Sequence, residues 1–131
     1  MPDVKYSDSF IAEKFSHASD YWEIVKEILI EMQRQTGVLK TDSEGVAMKG
    51  LLIRHLVLPS GCSGWRKILD FIVRNLPVDT YINIMEQYRP CFKAEEFKEI
   101  SRRITFQEYK EVVEYALSLG LKRVVYSSTL L

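Results

Sequence analysis

Five side chains have types and spacing that bear on chemistry: Asp3, Lys5, Arg54, Asn83 and Gln87. Asp3 and Lys5 lie two residues apart, so in an extended segment they point the same way. Arg54 interrupts an otherwise apolar run, and Asn83 and Gln87 follow the same two-residue period in and after another. A carboxylate, two cations and two amides can satisfy one another as ion pairs and hydrogen bonds, or they can line a cavity for a polar ligand. Metal chemistry has less to build on. Cys62 and Cys91 are not at Cys-x-x-Cys spacing, and His17 and His55 are too few for a zinc site without cysteine help. A single disulfide is formally possible, but two buried or idle thiols are the expectation.

The elements that must position these residues alternate. Residues 2–6 read as a short strand. Ser7-Asp8-Ser9 is a cap for a short helix over 10–15. Residues 20–35 carry apolar side chains at helical spacing (Tyr21, Ile24, Val25, Ile28, Leu29, Met32), opened by the Asp form of a capping box at Asp20 and stopped at Gly37. The polar stretch 38–49, with a turn at Asp42-Ser43-Glu44-Gly45, is long for a loop; it holds a hairpin or covers a site. Residues 50–58 read as a strand. Ser63 caps a helix over 64–75. Residues 80–85 read as a third strand, and Thr105 to Glu108 is a capping box for a helix ending at Leu119. Residues 121–126 form a last strand. Strand-helix alternation of this kind predicts an α/β domain with a parallel sheet, leaving doubly wound sheet and partial barrel both open.

Splitting each strand by its two-residue period sharpens the first observation. Asp3 and Lys5 share one face; Leu52, Arg54, Leu56 and Leu58 share another, opposite Leu51, Ile53, His55 and Val57; Tyr81, Asn83, Met85 and Gln87 lie opposite Ile82 and Ile84. One consistent assignment gathers Asp3, Lys5, Arg54, Asn83 and Gln87 on a single face and the apolar side chains beneath the helices. A parallel sheet ordinarily has two apolar faces, so these polar groups need partners, water or a ligand. The plainer reading is an ion pair of Asp3 with Lys5 or Arg54 at a solvated sheet end. His55, on the opposite face, reads as a core histidine, Tyr21 and Trp22 as core and rim packing, and the charges over 93–99 as a solvated helix face.

Composition narrows the class. The chain has 131 residues, 47% hydrophobic and 27% charged, which suits one folded domain over 1–131. Eighteen Lys+Arg balance eighteen Asp+Glu, so there is no bulk electrostatic grip on nucleic acid or an anionic membrane. No apolar run reaches membrane-spanning length, and the first residues lack a basic-then-apolar signal, so the expected compartment is the cytoplasm.

Several segments resemble a known family in order along the chain. Pro2-Asp3-Val4-Lys5-Tyr6-Ser7-Asp8 resembles the fourth-strand segment of radical S-adenosylmethionine activating enzymes, with Asp-x-Lys at the strand end. Leu52-Ile53-Arg54-His55-Leu56-Val57-Leu58-Pro59-Ser60-Gly61 is similar to the fifth strand and the loop leaving it. Tyr81-Ile82-Asn83-Ile84-Met85-Glu86-Gln87-Tyr88-Arg89-Pro90-Cys91-Phe92 is similar to the sixth strand of the iron-sulfur proteins related to pyruvate formate-lyase activating enzyme. Ile104-Thr105-Phe106-Gln107-Glu108-Tyr109 fits the start of the last helix. The resemblance implies the C-terminal half of a TIM-like (β/α) partial barrel. It implies reductive cleavage of S-adenosylmethionine to methionine and a 5′-deoxyadenosyl radical, which abstracts hydrogen from a partner such as a glycyl radical enzyme.

By the same resemblance Lys5 pairs with the methionine carboxylate, Asp3 takes a ribose or amino hydrogen bond, and Arg54 reaches ribose or carboxylate. Gln87 and Tyr88 edge the adenine, and Asn83 contacts the lumen. The family's 4Fe-4S cluster is held by Cys-x-x-x-Cys-x-x-Cys, and neither that motif nor the glycine-rich segment for the methionine amino group occurs here. The implied chain contributes part of the cofactor site and is inactive alone. An alternative is a non-catalytic paralogue whose open strand edges make it a homodimeric binding or scaffold module. A phosphate held by Lys5 and Arg54 ranks last, because no Gly-rich phosphate loop accompanies them.

Overall fold

A computed structural model describes residues 1–127. Three strands, β3 (Leu52–Leu56), β4 (Tyr81–Met85) and β5 (Arg123–Val125), form a parallel sheet in chain order. Residues 2–4 add to its β3 edge. Val4 N–H donates to Arg54 O at 2.8 Å and Arg54 N–H to Pro2 O at 2.9 Å, a single parallel bridge where the periodicity predicts a longer strand. The ladder to β3 goes no further: the next carbonyl on that edge, Val4 O, meets the His55 ring Nδ1 at 2.8 Å, and on the outer edge Asp3 O and Lys5 N–H are taken by a tyrosine hydroxyl.

The helices confirm some local signals and overturn others. Asp8 caps α1 (Ser9–Ser16), its carboxylate accepting Ile11 N–H at 2.9 Å. Helix α2 (Tyr21–Thr36) follows Asp20, which makes no side-chain cap. Asp20 sits at φ −92°, ψ 1°, outside the extended region that capping needs, and the first amide is already satisfied by Ala18 O. The buried side of α2 is Trp22 and Leu29, with Val25 and Met32 beside them; Ile24 and Ile28, on the predicted apolar face, stay exposed. Strands β1 (Lys40–Thr41) and β2 (Ala47–Lys49) form the hairpin in the 38–49 stretch, closed by Asp42, whose carboxylate accepts Glu44 N–H and Val46 N–H.

Helix α3 (Trp65–Asn75) begins at Gly64, not at a Ser63 cap. Gly64 lies at φ +65° with its carbonyl accepting Ser7 Oγ at 2.7 Å, and a Cβ there would collide with that hydroxyl. Ser63 is fully buried. Helix α4 (Phe106–Ser118) has the predicted capping box at Thr105 and Glu108. The charged stretch after β4 is not a helix face: it forms a 3₁₀ turn, Phe92–Glu96, after which Phe97 packs edge-on against Phe15 and Glu99 pairs with Lys14.

Packing divides the sheet. The main core joins Val4, Ile53, Ile82 and Ile84 with side chains of α2, α3 and α4, so the three crossover helices lie on the same face. Trp22 meets Phe71 and Trp65 meets Tyr115 edge-on, stitching α2 to α3 and α3 to α4. On β3 and β4 the opposite side chains, among them Leu52, Arg54, Tyr81 and Asn83, remain half-exposed. A second cluster of Tyr6, Ala12, Leu58, Cys62 and Ile100 gathers at the ends of the strands.

Candidate functional site

The half-exposed face carries the charges. Bridge and register set Asp3, Arg54 and Asn83 in one row across three neighbouring strands, and side chains in such a row project together. Arg54 Nε donates to Asp3 Oδ1 at 2.6 Å, and Lys5 Nζ donates to Asp3 Oδ2 at 3.3 Å. One carboxylate thus faces two cations, leaving a positive charge in excess. The guanidinium uses Nε for Asp3; its Nη groups make no hydrogen bond among the described residues.

Solvent reaches the cluster: side-chain exposures are 31% for Asp3, 35% for Arg54 and 47% for Lys5, so the pairs are screened and add little to stability. Partial burial pushes the Asp3 carboxyl up, and the hydrogen bonds and charges of Arg54 and Lys5 outweigh it, leaving the group below the usual aspartate range. The carboxylate is therefore ionised at neutral pH and orients both cations. Asn83 lies next in the row with its amide unengaged among the described residues.

Gln87 and Tyr88 are not joined to this cluster by any hydrogen bond. Gln87 Nε2 turns back onto Met85 Sδ at 3.3 Å, and Tyr88 donates to Ile100 O at 2.7 Å. Both line a cavity of about 460 Å³ past the end of β4, with Arg103, Thr105 and Tyr109. The structure thus brings together Asp3, Lys5, Arg54 and Asn83, and sets Gln87 and Tyr88 in a separate recess.

No protein-family model matches the chain. No solved structure matches it either. It is similar to the uncharacterized protein MJ0674 of Methanocaldococcus jannaschii. The two are 34% identical over 124 residues, covering 92% of this chain and 32% of that protein. The chain therefore spans about a third of the length of the curated relative it matches.

Other titratable groups serve the fold. His55 Nδ1 contacts Val4 O at 2.8 Å on the opposite face of the sheet from the Asp3–Arg54 pair; burial pushes its pKa down to about 4, so the ring is neutral at pH 7. Cys62 and Cys91 are free thiols, the first buried and the second exposed. Burial pushes the Cys62 thiol up, which removes thiolate character. Among the described residues no group of three His, Cys, Asp or Glu can hold a metal ion, and no helix is long and apolar enough to cross a membrane.

Two contacts escaped sequence reasoning. Tyr21, read as packing, accepts Lys5 N–H at 2.9 Å and donates to Asp3 O at 3.1 Å. Glu108, read as half of a capping box, also accepts Ser60 N–H at 2.7 Å and both Nη groups of Arg102 at 2.8 Å. The Arg102 guanidinium and the Thr105 and Ser60 amides hold its carboxyl well below the usual glutamate range, against the effect of burial. The hydroxyl of Tyr21 is the one sequence signal for the first contact, since phenylalanine would pack as well. Nothing local marks the second, whose partners lie 48 residues apart.

Proposed function

We propose that this chain is the C-terminal part of a radical S-adenosylmethionine protein resembling pyruvate formate-lyase activating enzyme, and that its sheet is a segment of a (β/α) partial barrel. The observation that carries the reading is the Asp3–Arg54–Lys5 cluster on the half-exposed face, with Asn83 in the same row. Strand order in sequence with the crossover helices on one face supports the barrel geometry, because such a sheet turns its other face inward as it curls. S-adenosylmethionine supplies the radical chemistry when bound to a cluster. This chain's residues bind and orient: the Arg54 Nη groups and Lys5 suit the methionine carboxylate, Asp3 holds both cations in place and accepts from a ribose hydroxyl or the amino group, and Asn83 donates or accepts alongside.

The residues present do not fit the iron-sulfur cluster itself. Cys62 is buried with its thiol pKa raised, Cys91 is exposed, and no third soft ligand joins them among the described residues. On this reading the cluster motif lies outside these residues, the chain alone is inactive, and the hydrogen donor is a glycyl radical enzyme or another protein. A second reading, a dimeric binding or scaffold module, draws on β5, which among the described residues pairs with β4 on one side only.

Equilibrium dialysis with labelled S-adenosylmethionine tests the first reading. Weak saturable binding is expected for the unsubstituted chain and its loss for the double variant Lys5→Ala, Arg54→Ala. Identical non-saturable background in both would overturn it.

A further inference from the structure

The segment that carries Asp3 and Lys5 is held on both edges, by different means. On the inner edge it pairs with Arg54 of β3 through Pro2 O and Val4 N–H. Its outer edge presents Asp3 O and Lys5 N–H. A single residue of a neighbouring parallel strand would donate its amide to the first and accept from the second. The Tyr21 hydroxyl does both: it donates to Asp3 O at 3.1 Å and accepts from Lys5 N–H at 2.9 Å. One phenol stands in for one residue of a strand.

Tyr21 is itself fixed. It occupies the first position of α2, and its ring packs edge-on against Tyr6 at 5.6 Å and 71°. Burial raises its pKa, so the hydroxyl keeps its proton and remains a donor at neutral pH. Phenylalanine would fill the same volume but leave both backbone groups without this partner.

We infer that Tyr21 is a positioning residue for the Asp3–Lys5–Arg54 cluster: its hydroxyl locks the backbone of residues 3–5 so that the carboxylate and the ammonium meet Arg54 where an anionic ligand group docks. The identity of that ligand rests on the function proposed above; the positioning does not. Without the hydroxyl the segment loosens, Asp3 leaves the two cations, and Arg54 loses its orientation.

The test compares Tyr21→Phe with Tyr6→Phe, which removes a hydroxyl from the same ring cluster, one that shares a hydrogen bond with Ser16 Oγ at 3.1 Å. Three quantities are followed: exchange of the Lys5 amide, the Asp3 carboxyl titration by carbon NMR, and S-adenosylmethionine affinity by dialysis. The charges facing Asp3 are Lys5 and Arg54, with the Tyr21 phenol beside them.

For Tyr21→Phe, Lys5 amide exchange should quicken about tenfold, the Asp3 midpoint should rise toward the ordinary aspartate value, and affinity should fall about fivefold. Tyr6→Phe should leave all three unchanged. An Asp3 midpoint unmoved in Tyr21→Phe, or moved equally in both variants, overturns the positioning role. Should Tyr21→Phe fail to fold, the unsubstituted chain still decides: a Lys5 amide exchanging as fast as an exposed loop amide overturns it. A shifted midpoint in a chain that binds no S-adenosylmethionine supports Tyr21 and sinks the cofactor reading. Binding with an unmoved midpoint does the reverse.

Discussion

Arg54 and His55 are neighbours on one strand, and each reaches the same adjacent segment. Arg54 meets the Asp3 side chain on the half-exposed face; His55 meets the Val4 carbonyl on the buried one. Burial makes the histidine neutral and gives its bond to the fold. Exposure leaves the arginine paired but with donors to spare. A one-residue step along a strand thus separates a buried, neutral group from a half-exposed, charged one, because each face has its own dielectric environment.

Substitutions on the two faces should therefore differ most sharply. Ile84→Ala, beneath the helices and 1% exposed, should lower unfolding free energy by about 2–5 kcal/mol in urea titration. A loss below about 1 kcal/mol would show that this face is not the core.

The His55 ring sharpens the contrast through pH. Its folded pKa of about 4 lies below the unfolded value near 6.5, so the unfolded chain binds the extra proton between them. The stability that neutral His55 provides is complete above pH 6.5 and is lost as pH falls toward 4, by about 3 kcal/mol at most. His55→Leu should flatten that part of the stability–pH curve, measured by denaturant titration at each pH. An unchanged slope would refute the assignment.

Glu108→Gln should cost about 1–2 kcal/mol, because the amide cannot accept at all the positions that Arg102, Thr105 and Ser60 use. The same titration at pH 7 measures it, and an effect within error would mean that the Ser60 loop is held by other contacts. On the open face the effects should be small. Arg54→Ala should lower stability by less than about 1 kcal/mol, while raising the Asp3 carboxyl pKa toward its ordinary value in an NMR titration. Asn83→Ala should stay within about 0.5 kcal/mol. A large loss at either site would break the division between a stabilising face and an open one.

Much of this division is legible in the residue pattern. The two-residue period of β3 and β4 puts Ile53, His55, Ile82 and Ile84 on the buried side and Arg54 and Asn83 on the other, as the structure has them. Gln87, assigned to the same face by continuing that period, lies beyond Met85, where β4 ends and the period no longer governs direction. At the helix starts Thr105 behaves as its pattern predicts, while Asp20 and Ser63 do not: a cap depends on backbone angles set by the preceding turn, and those turns are held by Ala18 O and by Ser7, 57 residues from Gly64.

Local order along the chain is enough for what repeats over a few residues: the alternation of faces, the Asp42 turn and the Asp8 and Thr105 caps. Those follow from backbone periodicity and from side chains that reach their own neighbours. Tertiary structure alone decided which side chains meet across the chain, from Tyr21 on the Asp3–Lys5 edge to Glu108 on the Ser60 loop. Such contacts depend on how packed helices are placed over the sheet, and a spacing of 16 or 48 residues carries no period that could announce them.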